Sequence, residues 1–159
     1  MSKYEWLLFF HLTGAFLLIG GSVAAGVFNV SAMQRERPSE IASFLRFARI
    51  GVILISIGVL LTLVFGLWLV HAADQAYSYG DAWVVVALVL WVIANALGGI
   101  GGRRDKVTRA LAERLAAEND APNTELRARL RDPVSIALSW GSGLVILAIL
   151  GLMIWKPGS

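Results

Sequence analysis

Charged residues leave four long gaps in this chain of 159 residues. Residues 6–34, 50–73, 82–102 and 133–155 contain no Asp, Glu, Lys or Arg, and the gaps are 29, 24, 21 and 23 residues long. A helix crossing a bilayer core takes about 20 consecutive apolar residues. The pattern predicts four membrane-spanning helices over about 4–33, 45–72, 82–102 and 133–155, with residues 39–47 starting the second helix below the membrane. The segment 103–132 has a different texture. Val107, Leu111 and Leu115 recur every four residues on a charged background, and Asp105/Arg109, Arg109/Glu113 and Arg114/Glu118 are opposite charges at i,i+4. Asn119-Asp120-Ala121-Pro122-Asn123 reads as a turn. Residues 124–131 read as a second short helix with Leu126 and Leu130 on one side. The expected fold is all-α: one domain over 1–159, a four-transmembrane-helix bundle with a short cytoplasmic helical hairpin at 103–132 between helices three and four. That hairpin reads either as a solvated connector resting on headgroups or as a docking surface for a cytoplasmic partner.

Helix punctuation fits these boundaries. Asp81 follows Gly80 and is placed to cap span three. Asp132-Pro133 is a cap followed by proline at the first helical position. Trp6, Tyr77, Tyr79, Trp83 and Trp155 form an expected aromatic belt at the outer interface. Arg46 and Arg49 are placed to snorkel from span two to the inner headgroups.

Composition strengthens the membrane reading. The chain is 57% hydrophobic and only 16% charged, against about 25% charged for a soluble domain. It has no cysteine, which excludes disulfides, iron–sulfur clusters and thiolate metal sites. The pI near 9.7 does not signal nucleic acid, because the basic residues flank apolar spans. Twelve of them lie in the two hairpin-side segments: Arg35, Arg37, Arg46, Arg49, Arg103, Arg104, Lys106, Arg109, Arg114, Arg127, Arg129 and Arg131. The opposite side has Lys3 and Lys156. Short loops rich in Lys and Arg stay cytoplasmic, so both termini are expected to be extracytoplasmic in a multi-pass protein of a bacterial cytoplasmic membrane. The amino terminus lacks the basic cluster and cleavage site of a signal peptide, and the first helix is the expected insertion signal.

Small residues repeat every four positions: Gly20/Ala24, Gly21/Ala25 and Ser22/Gly26 in span one, Ala94/Gly98/Gly102 in span three, and Ser135/Ser139/Gly143 in span four. Such ridges let helices approach closely and predict a homo-oligomer or a membrane protein partner. Asn29, Ser56, Asn95, Ser139 and Ser142 share the inner half with them. They read as interhelical hydrogen-bond glue or as a polar pocket, closed by Arg49, for a small anion or headgroup. Gly98-Gly99-Ile100-Gly101-Gly102 reads as a helix-end packing run and not as a nucleotide loop. In the outer half, Phe9, Phe10, Phe65, Trp68 and Trp91 with Gly66 and Gly151 read as core packing or as the walls of a flat cavity.

No span contains a carboxylate or a lysine, which argues against a proton-coupled carrier. No Ser–His–Asp or paired-carboxylate arrangement can be drawn, so whether the chain is an enzyme stays open. Candidate chemistry rests on two histidines. His11 lies ~7–8 Å below the outer edge of the core, counting from Trp6, where an imidazole needs a partner. His71 closes span two near the same surface, and Glu5, Asp74 and Asp81 lie just above. Three readings follow. His11 makes an interhelical hydrogen bond to a hydroxyl or backbone carbonyl. Alternatively, His11 ligates haem, with His71 or Met153 opposite or an open position. The third reading is a copper or zinc site from His11, His71, Asp74 and Asp81, since imidazole suits both metals.

The opening Tyr4-Glu5-Trp6-Leu7-Leu8-Phe9-Phe10-His11-Leu12-Thr13-Gly14-Ala15-Phe16, followed by Gly20-Gly21, resembles the bacterial domain-of-unknown-function family 2269 of predicted integral membrane proteins. So do Leu63-Val64-Phe65-Gly66-Leu67-Trp68, the run 98–104 and Leu126-Arg127-Ala128-Arg129-Leu130-Arg131-Asp132-Pro133. The likeness covers nearly the whole chain and implies the four-span fold, with no mechanism attached. The first span is more distantly similar to copper-resistance D-type membrane proteins and to the four-helix membrane protoporphyrinogen oxidase. His11, Gly20 and Gly21 match their first-helix histidine and glycines, while Leu18 stands where they carry tryptophan. Two functional expectations follow from different classes. One is a haem- or metal-binding membrane protein using His11. The other is a non-catalytic membrane subunit or accessory protein that acts through helix–helix and cytoplasmic-loop contacts and carries no cofactor.

Overall fold

The computed structural model describes residues 2–72 and 78–157. Five helices follow in order: α1 Lys3–Met33, α2 Pro38–Ala72, α3 Ala82–Glu118, α4 Thr124–Leu130 and α5 Pro133–Trp155. Four are long and apolar enough to cross a membrane, the last of them with α4 before it. The chain is an all-α four-helix membrane bundle.

Local chemistry explains the starts of α1, α2, α4 and α5. Ser2 and Glu5 form a capping box at α1, each side chain bonding the other's backbone N–H. Pro38 opens α2, where its missing N–H costs nothing. Asn123 caps α4 through Leu126 N at 3.0 Å, and Asp132 caps α5 through Ser135 N at 3.0 Å with Pro133 behind it. Asp81 departs from expectation. It occupies the cap position of α3, but its carboxylate accepts from Ser78 N at 2.9 Å and leaves the helix uncapped by side chain. The glycine run 98–102 also departs. It lies inside α3, which continues unbroken to Glu118. At 1.5 Å per residue that helix is about 55 Å long, well beyond a core of about 30 Å.

Helices α1 and α2 form a tight antiparallel pair. The residues that permit it are Gly14 against Gly58 and Gly21 against Gly51. A Cβ on Gly58 would lie 2.5 Å from Leu18 N and 2.6 Å from Gly14 O; one on Gly51 would lie 2.6 Å from Gly21 O. Backbone thus meets backbone, and the glycines stand seven residues apart on each helix, the interval of a helix–helix seam. Gly21 and Ala25 of the expected ridges lie in this seam. Gly20, Gly26, Gly102 and Gly143 meet nothing within 4 Å. Helix α5 leans mainly on α3 through Gly98, whose added Cβ would sit 3.6 Å from Ser142 Oγ, and through Ser142 Oγ donating to Ala94 O at 3.3 Å.

Burial is concentrated at one end of the bundle. Ala32, Ile41, Ala42, Leu45, Ala112, Leu115, Leu126 and Leu130 form the apolar core, with Met33, Phe44 and Leu111 packed against it. This cluster joins the end of α1, the start of α2, the far part of α3 and α4. By contrast α5 has no buried residue. Solvent explains the difference: water drives apolar side chains together, whereas lipid tails cover a transmembrane face as well as protein does. The hairpin's apolar stripe is therefore packed against its own chain, with only Val107 left outward. The hairpin is thus docked on its own chain.

Polar contacts fasten the hairpin. Asp120, in the turn between α3 and α4 with φ of 49°, accepts from Ser39 N and Ser39 Oγ, both at 2.8 Å. It thereby caps the start of α2 from 81 positions away. Those hydrogen bonds hold its carboxyl below the usual carboxylate range. Glu36 meets Arg127 at 3.4 Å and Glu113 meets Arg46 at 3.7 Å. Arg109/Glu113 and Arg114/Glu118 form as expected. The Asp105/Arg109 pair does not: Asp105 turns instead to the side chain of Asn29 on α1.

Candidate functional site: the His11 seat

His11 sits on the seam of α1, in line with Leu7, Gly14 and Gly21, and is only 8% exposed. Its Nδ1 lies 3.0 Å from the carbonyl oxygen of Thr62 on α2. The partner is a backbone acceptor, so the Nδ1–H donates. Gly66, one turn along α2, makes space for the ring: a Cβ there would lie 2.9 Å from Cε1 and 3.0 Å from Nδ1. Thr62 folds its hydroxyl back onto its own helix, 2.8 Å from Gly58 O, and leaves its carbonyl side to the imidazole. Of the three readings of His11, the interhelical bond to a backbone carbonyl is the contact formed.

An aromatic ladder flanks the seat. Phe10 stacks on Phe65 at 4.9 Å between centroids, Phe65 on Trp68 at 6.5 Å, and Trp6 on Phe10 at 6.0 Å. Lys3 Nζ lies over the Trp68 ring at 5.9 Å. Gly66 does not open a cavity here, because His11 fills the space beside it. Gly151 belongs to a separate small apolar pocket of about 260 Å³ on α5 with Leu147, Leu152 and Trp155.

The other candidate ligands are dispersed. His71 is in the last turn of α2 and exposed. Five residues beyond Gly66, it points about 140° around the helix from that position. Met153 is half-buried on α5, which packs mainly against α3. Asp81 is engaged with Ser78 N, and Glu5 with Ser2. Asp74 and Tyr77 lie outside the described residues. Among the described residues, no group of three or more His, Asp or Glu gathers at metal-ligating spacing. Of the belt residues, Tyr79 donates its hydroxyl to Leu67 O at 2.9 Å, Trp83 is buried beneath Lys156 Nζ, and Trp6 and Trp155 are exposed.

The polar residues toward the hairpin are only partly interhelical. Ser142 and Asn29 reach other helices. Ser56 and Asn95 bond carbonyls of their own helices. Sequence reasoning missed Thr62, and it read Gly66 as core packing or a cavity wall and not as the space for the His11 ring. The available signal was Gly58, Thr62 and Gly66, small residues repeating every four positions on α2.

The comparisons agree with this architecture without extending it. No curated protein and no solved structure matches the chain. Residues 5–157, which contain the His11 seat, the glycine seam and the hairpin, match the family described as "Predicted integral membrane protein (DUF2269)", and the chain belongs to that family.

Proposed function

We propose that the protein is a haem- or metal-binding integral membrane protein in which His11 supplies the first ligand through Nε2. The 3.0 Å contact between His11 Nδ1 and the Thr62 carbonyl supports this reading most directly. An imidazole that donates Nδ1–H keeps its lone pair on Nε2, and metal-ligating histidines are oriented by such a bond. Haem is the favoured group, since a flat macrocycle suits the neighbouring rings of Phe10, Phe65 and Trp68. Copper or zinc would draw further ligands from His71, Asp74 and Asp81. In this reading the chain lies in a bacterial cytoplasmic membrane with both termini outside, and the site opens outward.

A second reading has its own observation. The 23-residue helix α5 buries no side chain, and Trp140 on it is 70% exposed. The protein would then be a non-catalytic membrane subunit or accessory protein that offers α5 to a second copy or another membrane protein. His11 would be an interhelical tie. One preparation separates the two readings: protein expressed with ample haem and copper, then examined by visible absorption and metal analysis. Strong absorption at the blue edge of the visible, or stoichiometric metal, lost in His11→Ala with helicity retained, supports ligation. A colourless, metal-free protein whose His11→Gln variant is as stable as the parent leaves the tie.

A further inference from the structure

The cations at the hairpin end differ in whether an acid of the same chain meets them. Those out on the hairpin side meet acids of the same chain: Arg46 and Arg109 meet Glu113, Arg114 meets Glu118, Arg127 meets Glu36 and Arg129 meets Glu125. Where the charge-free segments end, Arg104 pairs with Asp132 and Arg35 lies over the Phe44 ring, but the remaining cations meet no acid among the described residues. Arg49 directly precedes 50–73, Arg103 directly follows 82–102, Lys106 is one turn further, and Arg131 stands two residues before 133–155. All four are exposed, and among the described residues no carboxylate lies within ion-pair distance of any of them.

Neighbouring acids are turned away from this rim. Asp105, between Arg103 and Lys106, is half-buried and faces Asn29. Asp132, beside Arg131, accepts from Ser135 N and Oγ and pairs with Arg104. The rim therefore presents four cations whose neighbouring carboxylates are engaged by other groups, at the level where apolar helix gives way to polar chain.

We propose that this rim is a binding surface for the headgroups of anionic phospholipids. Four exposed cations at headgroup depth meet lipid phosphate directly, and guanidinium groups engage its oxygens in paired hydrogen bonds. A zwitterionic lipid brings its own cation with its phosphate, so the rim favours phosphatidylglycerol over phosphatidylcholine. The acid-paired arginines contribute little to this preference, because their own carboxylates already satisfy them.

The test is native mass spectrometry of the detergent-purified full chain, titrated with phosphatidylglycerol or phosphatidylcholine. One engaged cation corresponds to a preference of about five-fold, so the wild type is expected to favour phosphatidylglycerol by at least about that factor. Combining Arg49→Gln, Arg103→Gln, Lys106→Gln and Arg131→Gln should bring the ratio close to one. The equal charge change in Arg46→Gln, Arg109→Gln, Arg114→Gln and Arg129→Gln should leave it near the wild-type value. No preference in the wild type, an undiminished preference in the rim variant, or an equal loss in the control overturns the proposal. If the fourfold rim variant does not purify folded, Arg49→Gln and Arg103→Gln are measured singly. Each should lower the ratio, and a ratio unchanged in both overturns it.

Discussion

His11 Nδ1 and the carbonyl oxygen of Thr62 are 3.0 Å apart across the α1–α2 seam, although 51 positions separate the residues. The bond satisfies a polar ring held inside an apolar pair of helices and fixes which nitrogen carries the proton. Replacing His11 by Ala removes the bond and leaves a void beside Gly66. The expected loss of stability is about 1–3 kcal/mol, combining an intramembrane hydrogen bond with a small cavity. His11→Gln should retain more of it, because an amide can still donate to the carbonyl. Thermal unfolding in detergent measures both, and equal losses would show that the bond contributes nothing.

Gly66 offers a way to move the ring without removing it. A Cβ placed 2.9 Å from His11 Cε1 must displace the imidazole, since the glycine is held in the helix backbone. Gly66→Ala should therefore weaken the Thr62 bond and lower the thermal midpoint. If His11 holds haem, the same variant should shift the absorption spectrum of the bound group. A spectrum unchanged by Gly66→Ala would place the haem ligand elsewhere.

The seam itself predicts a sharp contrast between glycines. Gly58→Ala drives a methyl group into the Leu18 and Gly14 backbones, and Gly51→Ala into those of Gly21 and Ala25. Each should cost about 1–3 kcal/mol, the range for overpacking a tight contact. Gly20→Ala and Gly99→Ala meet nothing within 4 Å and should change stability by less than about 0.5 kcal/mol. Reversible unfolding of the four variants decides this. Similar effects at all four positions would mean the α1–α2 approach is looser than described.

The spans were legible because an uncompensated charge in lipid is costly, so its absence over 21 or more residues is a strong signal. The caps at Asn123 and Asp132 are local chemistry and equally visible from side-chain type. The seam was less visible. A four-residue search over α1 finds Gly20 and Gly26 as readily as Gly21, because small residues do not announce which side faces lipid. Only the pairing of Gly14 with Gly58 and Gly21 with Gly51, on two helices, selects the seam. The acceptor for His11 was hidden for another reason: every residue carries a carbonyl, so no side-chain pattern marks Thr62. The Asp120–Ser39 contact joins residues 81 apart, beyond any local rule. Asp105 had two available partners, and it lies beside Asn29 while Arg109 pairs with Glu113.

Charge predicts the orientation. Twelve basic residues flank the spans at the hairpin end, against Lys3 and Lys156 at the other, so the hairpin end should remain cytoplasmic. Alkaline phosphatase, which needs an oxidising compartment for its disulfides, should be active when fused after Pro157. It should be inactive when fused after Asn119. The reverse pattern of activities would invert the topology and close the proposed outward site.

The last prediction concerns the Asp120 clasp on α2. Its carboxylate accepts two hydrogen bonds from Ser39, and these bonds favour the charged form, holding its pKa below the ordinary carboxylate value. A depressed folded-state pKa means that the folded protein releases this proton more readily than the unfolded chain. Its contribution to stability is thus fully present above the unfolded value of about 4. It is lost as pH falls through the lower, folded value. Asp120→Ala should therefore lower the thermal midpoint at neutral pH, because Ser39 N and Oγ lose their acceptor and the hairpin loses its tie to α2. The gap between wild type and variant should stay constant from neutral pH down to about 5 and narrow below about 4. Other carboxylates titrate in the same range, but they are common to both proteins and cancel in the difference. Thermal scans of the two proteins in one detergent across this range provide the measurement. A gap that instead widens in acid would mean that protonated Asp120 is the better partner for Ser39, contrary to the charge-assisted clasp.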